Sequence, residues 1–274
     1  MPFSAATHGL PNGRGTLSSA AMFRLLHRLL THNRITSRLQ RALVHRVKKL
    51  LYMPDGYYSM GQIYRKINPA AILDIGAHHG YTVDKLLDYA PGAKVHAFEP
   101  TPQSAAILRQ RMSKRPNVHV HEMALGDKTG MTRFHLNVGE QTNSLLDNVT
   151  QSPFGQVQEH LAEVQVQAMT LDDWAEKFEP QGMLLLKADI QGAERLLVMG
   201  GKKTFARVAA FYTEICILPQ YEGQATFCEM NRIMVEQLGF ALYDIYPCQK
   251  AAPGEAAGFT DVMWVKPSVL PLEE

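Results

Sequence analysis

The run Asp74-Ile75-Gly76-Ala77-His78-His79-Gly80 sets an acid and two glycines around a turn that follows an apolar stretch. Gly76 lets the chain turn sharply and lets a ligand approach the backbone. Gly80 opens the next helix, whose first amides suit a carboxylate. Asp74 supplies an acid that fits an ammonium or sulfonium cation better than a pyrophosphate. The spacing is not the G-x-G-x-x-G of dinucleotide sites. Read alone, the run is also compatible with a plain strand-to-helix turn. Glu99, in Ala97-Phe98-Glu99-Pro100, ends the next apolar stretch. An acid about 20 residues beyond a glycine loop is placed to take both hydroxyls of a ribose. Glu122-Met123-Ala124-Leu125-Gly126-Asp127 follows a third apolar stretch. An adenine would rest there on Leu125 and its neighbours, with Glu122 or Asp127 accepting from its amine.

A second set of chemical groups comes later. Lys187-Ala188-Asp189-Ile190-Gln191-Gly192-Ala193-Glu194 emerges from Leu184-Leu185-Leu186. Charge leaving so apolar a run must open on a polar mouth, because an unpaired buried charge is costly. Glu214 sits inside the apolar run Val208–Ile217 and needs a partner, for which Lys187 is a candidate. His78 and His79 carry imidazoles, the side chain most used as a general base, although eleven histidines are scattered through the chain. Asp189, Glu194 and Glu214 offer carboxylates to a magnesium ion, but their spacing alone does not bring them together, so no metal is expected.

The elements that must position these groups alternate. Strands are expected at Ala70–Ile75, Lys94–Phe98, Val118–Glu122, Met183–Ala188 and Val208–Ile217. Helices are expected at Tyr81–Tyr89, Pro102–Ser113, from Gly192 and over Ala225–Leu238. Met131–Leu136 and Val164–Ala168 read as extra strands around a polar loop. Phe240–Tyr246 and Phe259–Val265 close the chain as an antiparallel edge hairpin. The pattern is that of an α/β fold with a mostly parallel sheet covered on both faces. The polar loop Gln141–Gln151, with Asn143, Ser144 and Asn148, is placed to close over a site from the acceptor side.

The chain has 274 residues, 46% hydrophobic and 20% charged, with a net charge of +2. Nine Lys/Arg and no Asp/Glu precede Asp55, which leaves 19 basic and 26 acidic residues from there on. Residues 1–54 therefore read as a flexible tail and a basic amphipathic helical arm, and residues 55–274 as the main domain. The arm's apolar spacing over 20–51 fits a helix laid on the domain, a contact with anionic membrane, or a mitochondrial presequence. The net acidic main domain disfavours nucleic acid as substrate. The three cysteines form neither a disulfide ladder nor a zinc spacing, so a reducing, cytoplasmic setting is the default, with peripheral membrane contact through the arm. No apolar run approaches the roughly 20 residues of a membrane span, nor is there a secretory leader pattern at the N-terminus.

The stretch from Ile72 to Val265 resembles the FkbM-type methyltransferases. The resemblance rests on Asp74-Ile75-Gly76-Ala77 through Gly80-Tyr81, Phe98-Glu99-Pro100 and Ala124-Leu125-Gly126-Asp127. It also rests on Asn143-Ser144-Leu145, Thr170-Leu171-Asp172, the run Lys187–Glu194, and Thr213-Glu214-Ile215. It implies a Rossmann-like class I methyltransferase fold, with a seven-stranded sheet and a reversed last hairpin. It implies S-adenosyl-L-methionine as cofactor and O-methylation of a hydroxyl on a sugar, glycolipid or secondary metabolite. The expected cofactor residues are Asp74, Gly76, Ala77, His78, Gly80, Glu99, Pro100, Ala124, Leu125 and Asp189. Asp189, Lys187 and His79 are the expected catalytic residues, and Ser144, Glu194 and Glu214 the expected substrate residues. The family usually has Asn where this chain has His78. Two other readings stay open: a catalytically silent module of the same fold that binds a glycan or protein partner, and an NAD-dependent enzyme.

Overall fold

The computed structural model describes residues 55–150, 158–178, 180–218, 220–247 and 258–270. The basic arm expected before Asp55, and the end of the expected polar loop at Gln151, lie outside the described residues. The chain runs α1 (Gly56–Ile67), β1 (Ala71–Ile75), α2 (Tyr81–Tyr89), β2 (Val95–Phe98), α3 (Pro102–Met112) and β3 (Val118–His121). It continues with β4 (Ala124–Gly126), β5 (Gly130–Asn137), β6 (His160–Thr170), α4 (Leu171–Phe178), β7 (Leu184–Ala188) and α5 (Glu194–Met199). It ends with β8 (Val208–Cys216), α6 (Phe227–Arg232), β9 (Ala241–Ile245) and β10 (Phe259–Val265).

Seven strands form one sheet in the order β3-β2-β1-β7-β8-β10-β9. All its pairs are parallel except those of β10, which runs antiparallel to both β8 and β9. This is the Rossmann-like α/β arrangement with a reversed last hairpin. Strand side chains alternate between faces. Leu184 and Leu186 therefore join Leu73, Ile75, Phe211 and Trp264 in one core. Leu185 joins Ile72, Val95, Ala210 and Met263 in the other. Burial on both faces is why β7 is continuously apolar rather than alternating. Strand order reverses between β1 and β7, and ligands of open α/β sheets bind outside the carboxyl ends of the strands at such a reversal. The two extra strands are β5 and β6, which join β4 in a small second sheet.

The structure adds two helices to the sequence reading and changes the form of a third. α1 carries two glycines and three tyrosines and so has little intrinsic helix preference. Asp55 caps it by accepting from the Tyr58 amide at 2.9 Å. Its glycines are packing devices: a methyl on Gly56 would strike the Tyr212 ring, and one on Gly61 the Cβ of Tyr89. α4 buries Leu171, Trp174 and Ala175. The helix expected over Ala225–Leu238 starts with a capping box between Thr226 and Glu229, then widens into a π-helical turn at Ile233–Gln237. Among the described residues, no helix is long and apolar enough to cross a membrane.

Three histidines line the outer part of the sheet. His96 Nδ1 and His121 Nε2 lie 2.8 Å apart. His96 meets Trp174 edge-on, and His121 stacks on Phe98. Burial, with His121 and His119 beside it, pushes the His96 pKa down to about 3. Burial and His119 push His121 down to about 4. Both values lie below the ordinary 6.5 of an unfolded chain. Below pH 6.5 the unfolded chain gains protons that the folded chain refuses. Stability is therefore full above 6.5 and falls as pH drops towards 4, by about 2 kcal/mol per imidazole at pH 5. Thermal melts from pH 7 to pH 5 should show this loss, and His96→Leu/His121→Leu should flatten it. Equal slopes for the two proteins would mean that other groups carry the acid response.

Candidate active site

One cleft opens at the carboxyl ends of β1, β2 and β7. Its walls bring together the loop after β1, the Phe98-Glu99-Pro100 end of β2, Met123 to Leu125, and Asp189 to Gln191. Glu140, Gln141, Asn143 and Leu145, from the connection between β5 and β6, complete it. Eight of the expected residues line this cleft: Gly76, Ala77, His78, Glu99, Pro100, Ala124, Leu125 and Asp189.

Gly76 is required for two reasons. Its φ is +79°, a conformation that L side chains rarely adopt, and a Cβ there would lie 2.0 Å from the Asp189 carbonyl oxygen. The glycine thus lets the β1 and β7 loops touch. Glu99 is 6% exposed. Its Oε1 accepts from the Thr101 amide at 3.0 Å and the Thr101 hydroxyl at 2.6 Å, and its Oε2 accepts from the His78 amide at 3.1 Å. A carboxylate offers about four lone-pair sites, so about one remains for a ligand in the cleft. The sequence assigns Glu99 two hydroxyls of a ligand, and three positions of its carboxylate are already taken by the chain itself.

Asp189 stands at the end of β7 with its side chain 37% exposed. Its Oδ1 accepts from Gln191 Nε2 at 2.8 Å, and its Oδ2 lies 3.9 Å from Lys187 Nζ. Gln191 holds a left-handed backbone, with φ at 54°. It also donates to Glu214 Oε1 at 3.3 Å and accepts from the Tyr221 hydroxyl at 2.8 Å. Gln191 escaped the sequence reading. Its neighbours come from β8 and from a loop about thirty residues on, so no local spacing announces it.

Seven expected site residues do not line the cleft. Asp74, fully buried, was expected to meet a ligand's cation. It stands in register beside Lys187 and takes that residue's ammonium at 3.3 Å and the Thr82 hydroxyl at 2.5 Å. The Lys187 partner is therefore Asp74 rather than Glu214. Burial alone would lower the Lys187 pKa, but Asp74 and then Asp189 hold it above the ordinary lysine value. Gly80 caps α2 and faces Leu108 and Met112. Ser144 is buried, donating to the Gln191 carbonyl at 2.8 Å, and so latches the β5–β6 connection to the β7 loop. Glu194, at the start of α5, accepts from the Ile190 amide, and burial raises its pKa to about 7. Glu214 is raised to about 8 by burial first and then by Asp189, Asp261 and Glu194. His79 lies just behind His78, ring on ring. Of the two acids expected near an adenine, neither Glu122 nor Asp127 is in the lining, and Glu122 is bound to Arg109 at 2.6 Å.

The polar loop is anchored at several points. Ser144 bridges to His135, Asn148 bridges to Tyr221, and Asn137 and Asn148 hydrogen-bond through their amides. Gln141 and Asn143 face the cleft.

The methyltransferase FkbM domain matches residues 74–242. The 2-O-methyltransferase NoeI of Sinorhizobium fredii is 32% identical over 162 residues, covering 56% of this chain and 66% of that protein, just under two thirds of its length. Among solved structures, an rRNA methylase from Streptococcus thermophilus is 12% identical, covering 76% of this chain and 93% of that one, with a TM-score of 0.41. Aeropyrum pernix fibrillarin, solved with S-adenosyl-L-methionine bound, is 12% identical, covering 71% and 66%, with a TM-score of 0.38. With its glycine loop, its strand-end acid and its Lys187–Glu194 run inside the matched stretch, this chain belongs to the FkbM methyltransferase family.

Proposed function

We propose that the cleft binds S-adenosyl-L-methionine and that the chain methylates a hydroxyl oxygen of a small acceptor of the sugar, glycolipid or secondary-metabolite class. The observation that carries this reading is the meeting of Gly76, Glu99 and Asp189 on one cleft. The residues present fit the cofactor. Phe98, Met123 and Leu125 offer apolar wall for a base, Glu99 keeps an acceptor position for a ribose hydroxyl, and Gly76 allows close approach. When bound, this cofactor supplies an electrophilic methyl group. The chain's own residues hold the reactants together, which by itself can carry much of the rate. Asp189 orients the acceptor hydroxyl and accepts its proton as attack proceeds. Gln141 and Asn143 offer polar contacts to the acceptor. The likeness to a 2-O-methyltransferase supports oxygen as the methylated atom.

Calorimetry tests the cofactor. S-adenosylmethionine and its demethylated product should bind, and NAD should not. Glu99→Ala should weaken binding by about 1.5–3 kcal/mol, the scale of a hydrogen bond to a charged group. Melts of the variant separate that loss from loosening of the loop. NAD binding without S-adenosylmethionine binding would reverse the assignment.

The finer placement is inferred as well. Residues 55–274 make up the methyltransferase unit, and the basic arm of residues 1–54 brings a cytoplasmic enzyme to anionic membrane. The one-sided charge before Asp55 supports this. Sedimentation with anionic vesicles at low and high salt checks it.

A further inference from the structure

Two histidines beside the cleft are left unused by this reading. His78 and His79 have ring centroids 3.7 Å apart and planes 20° from parallel. Their Nε2 atoms are buried, and neither has a hydrogen-bond partner. Both face the same oxygen: Glu140 Oε2 lies 3.5 Å from His78 Nε2 and 3.7 Å from His79 Nε2. The three donor atoms all lie within 4.8 Å of one another. Two buried ring nitrogens beside one carboxylate, too far for hydrogen bonds, are costly without something between them. In a tetrahedral centre with bonds of about 2.0–2.1 Å, neighbouring donors stand about 3.3–3.4 Å apart. The two imidazole–carboxylate separations exceed that by only a few tenths of an ångström.

We propose that His78, His79 and Glu140 form a binding site for a divalent cation of the zinc class. Two imidazoles and a carboxylate suit zinc, cobalt or nickel, whereas magnesium and calcium prefer all-oxygen shells. The site joins the glycine loop to the β5–β6 connection. Three protein donors leave a coordination position open, as in catalytic rather than structural zinc centres. His78 and Glu140 line the cleft, so that position is accessible to a water or an acceptor hydroxyl there. Only this last role rests on the O-methylation reading; the cation site stands without it.

A second His and carboxylate group serves as the internal contrast. Asp147 lies 3.3 Å from His135 Nε2, while Glu163 lies 3.8 Å from its Nδ1. The two acids make their closest approaches to opposite ring nitrogens, and although one donor atom from each residue lies within 4.8 Å of the others, the group offers a single imidazole and two exposed acids.

The test uses the purified full chain, stripped with EDTA and titrated with zinc chloride against a chromophoric chelator. Cobalt chloride gives a visible spectrum that reports the donor set, and magnesium chloride is the negative comparison. One zinc per chain is expected, unaffected by magnesium, with a rise in melting temperature. Glu140→Gln should weaken uptake by at least about tenfold, and His78→Asn/His79→Asn should remove it together with the melting shift. Glu140 is 68% exposed, so its variant tests the site without disturbing the core. Asp147→Asn should bind like the parent chain. No zinc uptake by the parent chain, uptake unchanged in the histidine variant, or uptake lost only in Asp147→Asn would each overturn the proposal. S-adenosylmethionine binding measured on the same samples keeps this result separate from the cofactor assignment.

Discussion

Asp189→Asn should lower single-turnover methyl transfer by about 10²–10⁴-fold, the usual contribution of a positioned acid–base group, while melting temperature and cofactor affinity change little. The acceptor for this assay comes from transfer of labelled methyl into fractionated extracts of the source cell. The expectation follows from where the carboxylate stands. It lines the cleft at the end of a buried strand and is itself partly exposed, so it meets a substrate hydroxyl without being part of the core. Asn keeps an acceptor for the Gln191 amide, which holds the side chain at 2.8 Å. Lys187 keeps its nearer partner, Asp74. What Asn loses is the negative charge and the ability to take a proton. Glu214→Gln is the contrast. Glu214 is outside the cleft lining and raised to about 8, so at pH 7 it is mostly neutral, and the amide resembles the form already present. Its activity at pH 7 should survive. The sign of its stability effect is fixed. The unfolded chain releases this proton near 4.5 and the folded chain near 8. Stability from this group is thus full below 4.5 and lost as pH rises through 8. Glu214→Gln should therefore melt at a relatively higher temperature as pH goes from 7 to 8. A fully active Asp189→Asn enzyme would remove Asp189 from the mechanism.

The strand-end groups were legible in the sequence because an open α/β sheet sends its functional residues to one edge. Gly76, Glu99 and Asp189 each follow an apolar run, and all three reach the cleft. What local order could not show was which charges face inward. Asp74 and Lys187 lie more than a hundred residues apart, yet they are direct neighbours across β1 and β7. A reading by segments gave Asp74 to the ligand and Lys187 to Glu214. Register, which only pairing sets, gave them to each other. Glu140 and Gln191 were missed for a related reason. The first comes from a connection folded back by the His135–Ser144 bridge, and the second is held by Tyr221 and Glu214 from other elements. α1 was hidden by its own composition, because its helix is decided by Asp55 and by packing on Tyr212 and Tyr89 rather than by propensity.

Lys187→Met should destabilise the protein by about 3–5 kcal/mol, the cost of leaving one partner of a buried ion pair uncompensated. Asp74 is 0% exposed, and besides the ammonium it accepts a hydrogen bond from the Thr82 hydroxyl. Losing the ammonium strands that carboxylate beneath the cleft. For a domain of this size, each kcal/mol moves the melting temperature by roughly 2–4 °C, so a drop of about 10 °C is expected. Lys187→Met/Asp74→Asn should recover much of it, since removing both charges also removes the penalty that either leaves behind. Function should follow geometry in this pair. The two residues brace β1 and β7 where those strands release Gly76 and Asp189 into the cleft. The single variant should therefore bind cofactor more weakly than its stability loss alone explains, and the double variant should regain that binding. A Lys187→Met protein that melts like the parent chain would show that the ion pair does not hold the strand ends. A double variant as unstable as the single one would place the loss in packing around the lysine stem instead.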